Sequence, residues 1–353
     1  MRQTIFIFCF FALIQSIFAE KKDWLIDGSS YKAEVKLSPD KKCIELTNGL
    51  LRRIFSITPN GATIGLDNLM TGQNELRAVR PEAMLVINGK EYSIGGLSGQ
   101  PVHNFLTKDM LSGMQLCDSA FILTDYKVSA TKERFHWKPN EAWISNKYPW
   151  PAPGKRITFT YKAPQKYSDE CKGLAVRVIY ELYDHAPILS KWIEIDNNGQ
   201  KAVTLDAFKS EILALTETAP KVHYGEPHEV RMMAQEPGHY THNYRKQPVQ
   251  TDAPRDYIDR FTQLFVVTDY AMGGDMEAMK DNPAVRWVFD HPEYEYTGIR
   301  YYGQYKPARL EVTPLLGPAE EIAPGESFIS CRAFEMLRDA TDRERRGLAE
   351  CRF

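Results

Sequence analysis

Apolar and polar residues alternate along most of this chain with a period of two. RITFTYK (156–162) sets Ile157, Phe159 and Tyr161 on one side and Thr158 and Thr160 on the other. That spacing belongs to a half-buried strand, because successive side chains of an extended chain point to opposite faces. LAVRVIYELYD (174–184) groups Val176, Val178, Tyr180 and Leu182. LSKWIEID (189–196) groups Leu189, Lys191, Ile193 and Ile195 against Trp192 and Glu194, so a lysine stands in an apolar row. Between these two runs, residues 184–187 read as a turn, since Pro187 has no N–H to give a ladder.

The same pattern recurs on both sides. AMLVINGKEYSIGG (83–96) reads as a hairpin turning at Asn88-Gly89. Asn198-Gly199 reads as a second two-residue hairpin turn, because both residues tolerate positive φ. KAVTLDAFKSEILAL (201–215), FTQLFVVTD (261–269), VRWVFDH (285–291), ARLEVTPLL (308–316) and SFISCRAFEM (327–336) add further strands. A dozen or more short strands punctuated by Gly, Pro and Asn predict an all-β protein. With no break in composition, the expectation is one large antiparallel two-sheet supersandwich over residues 23–336. Helical pattern is confined to LRDATDRERRGLAECRF (337–353). Leu337, Thr341 and Arg345 recur at four-residue spacing, and Leu348 is the one later large aliphatic before Phe353. So weak a stripe predicts a poorly anchored helix.

The N-terminus departs from the strand pattern. MRQTIFIFCFFALIQSIFA (1–19) has an early positive charge, Arg2, an apolar run from Ile5 to Ile14, and Ala19 before a polar stretch. It reads as a secretory signal, which predicts a secreted or periplasmic protein. The apolar run falls short of the roughly 20 residues of a membrane span, and no later segment is a candidate.

Charge and cysteine content narrow the partners. The 44 Lys and Arg against 46 Asp and Glu leave a net charge near −2, with no basic field to hold nucleic acid. Five cysteines follow the signal: Cys43, Cys117, Cys171, Cys331 and Cys351. They are far apart, odd in number and never spaced C-x-x-C, so the reading is mostly buried thiols rather than a disulfide framework.

Candidate chemistry is diffuse. G-x-S-x-G, H-E-x-x-H, P-loop and G-x-G-x-x-G signatures are missing, and neither a cofactor nor a metal is expected. His223, His228, His239 and His242 cluster in one irregular stretch, but their spacing does not define a ligand set. They read chiefly as loop histidines, with His239 and His242 kept as candidates for a substrate rim. A second irregular stretch (132–155) carries Phe135, Trp137, Trp143, Tyr148 and Trp150. Sugar rings pack their apolar C–H faces on such side chains, so Trp137, Trp143 and Trp150 are candidate stacking residues; the plainer reading is a lid over the sheet. Glycosidases need two carboxylates facing each other across the scissile bond. Asp275, Glu277, Asp281, Asp290, Glu293 and Glu295 supply acids but no privileged pair, so no catalytic residue is assigned.

Three stretches taken together resemble one family. They are residues 48–101, beginning NGLLRRIFSITPNGATIG; residues 176–215, with the phrase YELYD-x-x-P-x-x-x-K-W; and residues 314–349, ending RERRGLA. In order, they are similar to the N-terminal portion of melibiase-type α-galactosidases and their secreted bacterial relatives. The resemblance implies a galactose mutarotase-like β-supersandwich that precedes a (β/α)₈ barrel. The barrel carries both catalytic aspartates of a retaining mechanism. The Lys191-Trp192 pair lies in the sandwich and is followed by Ile193, so it does not match the family's Lys-Trp-Asp nucleophile phrase. A barrel takes about 250 residues, which do not follow Phe353. Residues 337–353 would then be the linker helix leading into that barrel, and the chain is expected to be inactive by itself.

In the family the sandwich lends a loop to the rim of the sugar site. The matching region here contains Arg77, Arg80 and Glu82, whose alternative role is a domain-interface salt bridge. The expected partners are an α-galactoside or other oligosaccharide, and a barrel domain or a second copy of the chain. Two alternatives stay open. One is a stand-alone periplasmic carbohydrate-binding sandwich; the other is a mutarotase-like epimerase, using His239 or His242 as acid and Glu293 as base.

Overall fold

A meander of short strands opens the structure, a computed structural model that describes residues 22–100, 106–138, 149–164, 171–215, 230–231, 264–270, 284–289, 308–314, 317–340 and 342–352. Strands β1 (Glu34–Leu37), β2 (Cys43–Thr47), β3 (Leu51–Ser56), β4 (Ala62–Asn68) and β5 (Gln73–Asn74) pair in sequence order. After β6 (Leu76–Ala78) comes the predicted hairpin of β7 (Ala83–Ile87) and β8 (Lys90–Ile94). Its turn residues Asn88 and Gly89 have φ of 50° and 74°, the mirror-image conformation that matches strand twist. A two-stranded ribbon, β9 (Leu97–Ser98) with β10 (Gln115–Leu116), flanks the five-residue helix α1 (Lys108–Ser112).

The long strands come next: β11 (Ile122–Ala130), β12 (Gly154–Lys162), β13 (Leu174–Tyr183) and β14 (Ile188–Asn197). They are followed by β15 (Val203–Lys209), β16 (Glu211–Leu215), β17 (Val230–Arg231), β18 (Leu264–Thr268), β19 (Val285–Phe289), β20 (Ala308–Val312), β21 (Pro318–Ile322), β22 (Ser327–Ile329) and β23 (Ala333–Leu337). A seven-stranded sheet runs β11-β12-β13-β14-β23-β18, with β22 also on β14. The orders β21-β15-β7-β8 and β17-β19-β20-β16-β6 complete the sheets. Every named pair is antiparallel. The protein is an all-β antiparallel sandwich, as the period-two pattern predicts.

One core joins these sheets. Ile157, Phe159, Tyr161, Val176, Val178, Tyr180, Leu182, Leu189, Ile193 and Ile195 all lie in it, so the predicted inward faces of β12, β13 and β14 are correct. Phe55 from the first meander inserts between Phe159 and Tyr180, with ring centroids 5.0 and 4.7 Å away. These tilted contacts add to the burial of three large rings. The 184–187 turn joins β13 to β14, with His185 at φ 74°.

Three expectations are corrected. Asn198-Gly199 is not a hairpin turn, because β14 and β15 belong to different sheets. Asn197 decides the local path instead. Its side chain accepts from Gly199 N (3.0 Å) and donates to the Lys201 and Ile322 carbonyls (2.8 Å each), an Asx-type turn that steers the chain across the sandwich. Gly199 is required by close approach rather than by φ, since a Cβ there would lie 2.4 Å from the Lys172 carbonyl. Among the five described cysteines, which are all free, only Cys171 is buried, and Cys351 is exposed.

The C-terminal helix is the third correction. Leu337 ends β23, and the helix α2 (Arg343–Arg352) begins six residues later. It is anchored. Asp342 caps it by accepting from Arg345 N at 2.9 Å. The Arg345 guanidinium forks onto both oxygens of Asp23 (2.8 and 2.9 Å) and also bonds Asp339. Ala349 packs in a second cluster with Trp24, Tyr31, Leu50, Ile188 and Met336. A narrow apolar stripe is enough here because the buried residue is an alanine and arginines hold the rest. Leu348 stays exposed.

Candidate functional site

Two polar clusters lie on opposite sides of the seven-stranded sheet. The first is inside the sandwich. Lys191 on β14 and Tyr180 on β13 are paired in register and project into the core. Arg53 arrives from β3, Glu211 from β16, Glu335 from β23, and Glu82 from the start of the β7 hairpin. All six are buried. Arg53 donates to both oxygens of Glu211 (2.9 and 3.3 Å), to Glu335 (3.2 Å), to Thr63 Oγ1 (3.1 Å) and to the Tyr180 hydroxyl (3.3 Å). Lys191 Nζ donates to Glu211 Oε1 (2.8 Å) and to the Glu82 carbonyl (2.6 Å). Glu82 in turn accepts from the Tyr180 hydroxyl and from Thr63 N.

Charge balance sets the protonation. Glu211 faces Arg53 and Lys191 together, and despite its burial they hold its carboxyl well below the usual range. Burial and the Glu211 charge push Glu335 far above that range. The two shifts run in opposite directions, favouring Glu211 as the carboxylate and Glu335 as the neutral acid. Glu335 Oε1 has no hydrogen-bond partner among the described residues. Enclosed and held mainly by one another, these groups are shut away from solvent. They are structural, and the signal for them in the sequence is Lys191 within an apolar row.

The second cluster covers the outer face, where Trp192, Glu181, Tyr183 and Ser190 project. Glu181 accepts from Arg156 at 2.7 and 2.5 Å, from Lys132 N at 3.0 Å, from Tyr183 at 3.2 Å and from Arg332 at 3.4 Å. Arg332 stacks on the Trp192 ring with its guanidinium carbon 3.8 Å from the centroid, and Arg156 lies 5.1 Å away. Burial, reinforced by the Glu181 charge, pushes the Tyr183 hydroxyl up to about 12. Residues 131–138, after β11, strap across this face through Lys132 and through an Arg134–Asp269 ion pair. Asp269 also accepts from Arg332 N at 2.6 Å.

At the end of that strap the aromatic residues emerge. Trp150 packs against Phe135 (5.4 Å) and edge-on against Trp137 (5.4 Å), and its indole N–H donates to the Phe135 carbonyl at 3.3 Å. Phe135, Trp137 and Trp150 remain 58, 37 and 38% exposed. The strap's polar residues thus cover Glu181 while its rings face outward. Trp143, His239, His242 and Glu293 lie outside the described residues. Arg77 and Glu82 are both interior. Arg77 reaches the Leu215 carbonyl at 3.1 Å, and Arg80, half-buried, bonds the Val79 carbonyl at 3.3 Å. Among the described residues no group of three His, Cys, Asp or Glu is placed to hold a metal ion.

A separate acid stands out in the link between β5 and β6. Glu75 is 4% exposed, and its Oε1 has no hydrogen-bond partner. Burial, with a smaller contribution from the Asp67 charge, pushes it up to about 7.

No family model matches the chain, and no curated protein matches it. Solved structures do. The GH36 α-galactosidase AgaB from Geobacillus stearothermophilus aligns over 87% of this chain and 41% of its own length, at 10% identity and a TM-score of 0.40. The galactose 1-epimerase from Lactobacillus acidophilus NCFM aligns over 88% of this chain and 100% of its own, at 12% identity and a TM-score of 0.39. A TPR-domain containing protein from Parabacteroides distasonis aligns over 84% and 47%, at 13% identity and 0.38. The chain spans about 41% of the length of the first α-galactosidases it matches.

Proposed function

We propose that this chain is a non-catalytic β-sandwich of an exported α-galactosidase-like glycoside hydrolase, and that its aromatic cluster contributes to the rim of a galactoside site. One contrast carries the reading. The acids of the interior cluster, Glu82, Glu211 and Glu335, are enclosed and held by cations, and the partly exposed pairs Glu194–Asp196 and Asp23–Asp339 are each clamped by one arginine, whereas the exposed rings collect at Phe135, Trp137 and Trp150. Glycoside hydrolysis needs two carboxylates about 5 to 10 Å apart across an accessible sugar, and a sealed set does not provide them. An exposed aromatic surface suits the apolar face of a pyranose. The sequence phrases shared with melibiase-type enzymes supply the substrate class, and the N-terminal signal pattern supplies export.

The test is an assay of the purified chain with an aryl α-galactoside, alongside calorimetric titration with raffinose-type oligosaccharides. No turnover above a blank is expected, together with weak binding that falls about tenfold, equivalent to roughly 1.4 kcal/mol, in Trp137→Ala or Trp150→Ala. Turnover would overturn the non-catalytic reading. Binding indifferent to both tryptophans would overturn the role given to the rings.

A further inference from the structure

The edge of the seven-stranded sheet carries a second surface. Among the described residues β11 is the terminal strand and pairs only with β12. It is nine residues long, and residues 124–128 are all exposed. Tyr126 and Val128 sit opposite Phe159 and Ile157, hence on the core-facing side, yet they remain 37 and 41% exposed. Asp125 and Lys127 point to the other face. Their side chains make no ion pair or hydrogen bond among the described residues. A long, exposed, partly apolar edge with unspent backbone donors and acceptors is a template for another strand.

The charges on this edge are self-complementary. A lone lysine in an edge strand ordinarily blocks pairing. Here an aspartate stands two residues before it. When two copies pair antiparallel with Tyr126 opposite Tyr126, each Asp125 faces the other copy's Lys127, twice by symmetry. Centring the pair on residue 125 or 127 instead opposes two aspartates or two lysines, so the charges select one register. The same register extends the core's aromatic row. Tyr180, Phe159 and Tyr126 follow one another across the sheet at 6.1 and 6.5 Å, and the second Tyr126 would continue the line. A bulge between Leu123 and Asp125 leaves residues 125–130 in regular register.

We propose that β11 is a homodimer contact, joining two seven-stranded sheets edge to edge about Tyr126. The proposal is independent of any sugar binding. Sedimentation equilibrium of the full chain tests it. The wild type should dimerise reversibly. Asp125→Lys and Lys127→Asp should each weaken the dimer by on the order of tenfold, because each turns two attractions into two repulsions. The double variant Asp125→Lys/Lys127→Asp should restore it, and so should mixing the two single variants in equal amounts. Both positions are exposed, so unchanged thermal melting confirms that the variants fold. A wild type that stays monomeric up to several hundred micromolar overturns the proposal, as does a dimer indifferent to the single reversals, or one that neither the double variant nor the mixture rescues.

Discussion

Glu211→Gln should cost about 3–5 kcal/mol of folding stability at neutral pH, whereas Glu335→Gln should cost less than about 1 kcal/mol. The two glutamates occupy one buried cluster and both touch Arg53, so their exposure does not distinguish them. Their protonation does. Glu211 is the anion that Arg53 and Lys191 share; a neutral amide there leaves two buried cations facing too little negative charge. Glu335 is already the neutral member, so glutamine reproduces its shape and its ability to donate. Lys191→Met should resemble Glu211→Gln, because it strands part of the Glu211 charge. Urea unfolding of the three variants at pH 7 checks this. Equal losses for the two glutamine variants would mean that both acids are charged, contrary to a neutral Glu335 beside an ionised Glu211.

Glu75→Gln should act in the opposite direction and only at higher pH. An unfolded glutamate titrates near 4.5, and Glu75 in the fold titrates near 7. A raised acid binds its proton more tightly folded than unfolded. Its contribution is therefore fully present below pH 4.5 and is lost as pH climbs through 7. Above pH 8 the wild type should carry a penalty of about 3 kcal/mol for an ionised, desolvated carboxylate. Glutamine avoids the ionisation, so the variant should be more stable than wild type by about that amount at pH 8, with little difference at pH 4. For a chain of this size the gain amounts to several degrees in Tm. A difference that stays constant from pH 4 to pH 8 would show that Glu75 does not titrate in this window.

Both predictions concern buried acids, and they differ in how far the sequence reveals them. Lys191 stands visibly in the apolar row of β14, which signals a buried cation in need of anions. Glu211, Glu335 and Arg53 give no such signal, because they lie 20 to 150 residues away in strands whose order in the sheets had to be known first. Glu75 is less legible still. It sits in an ordinary polar stretch, and only the packing at the crossover between two sheets removes its water. Of the candidate rim residues, Trp137 and Trp150 are exposed beside each other, while Arg77 and Glu82 face inward.

The sequence by itself determined the local structure. Period-two alternation placed the strands and their inward faces, Asn88-Gly89 set one hairpin, and the charged tail marked a helix, because those signals depend on neighbours within a few residues. The tertiary structure alone decided the rest. Asn198-Gly199 crosses between sheets since the partner of β15 is β7, more than a hundred residues earlier. Glu181 is sealed under the 131–138 strap, and α2 is held by Asp23 from the far end of the chain. Strand pairing and desolvation are long-range properties, and short-range pattern carries no record of which strands meet.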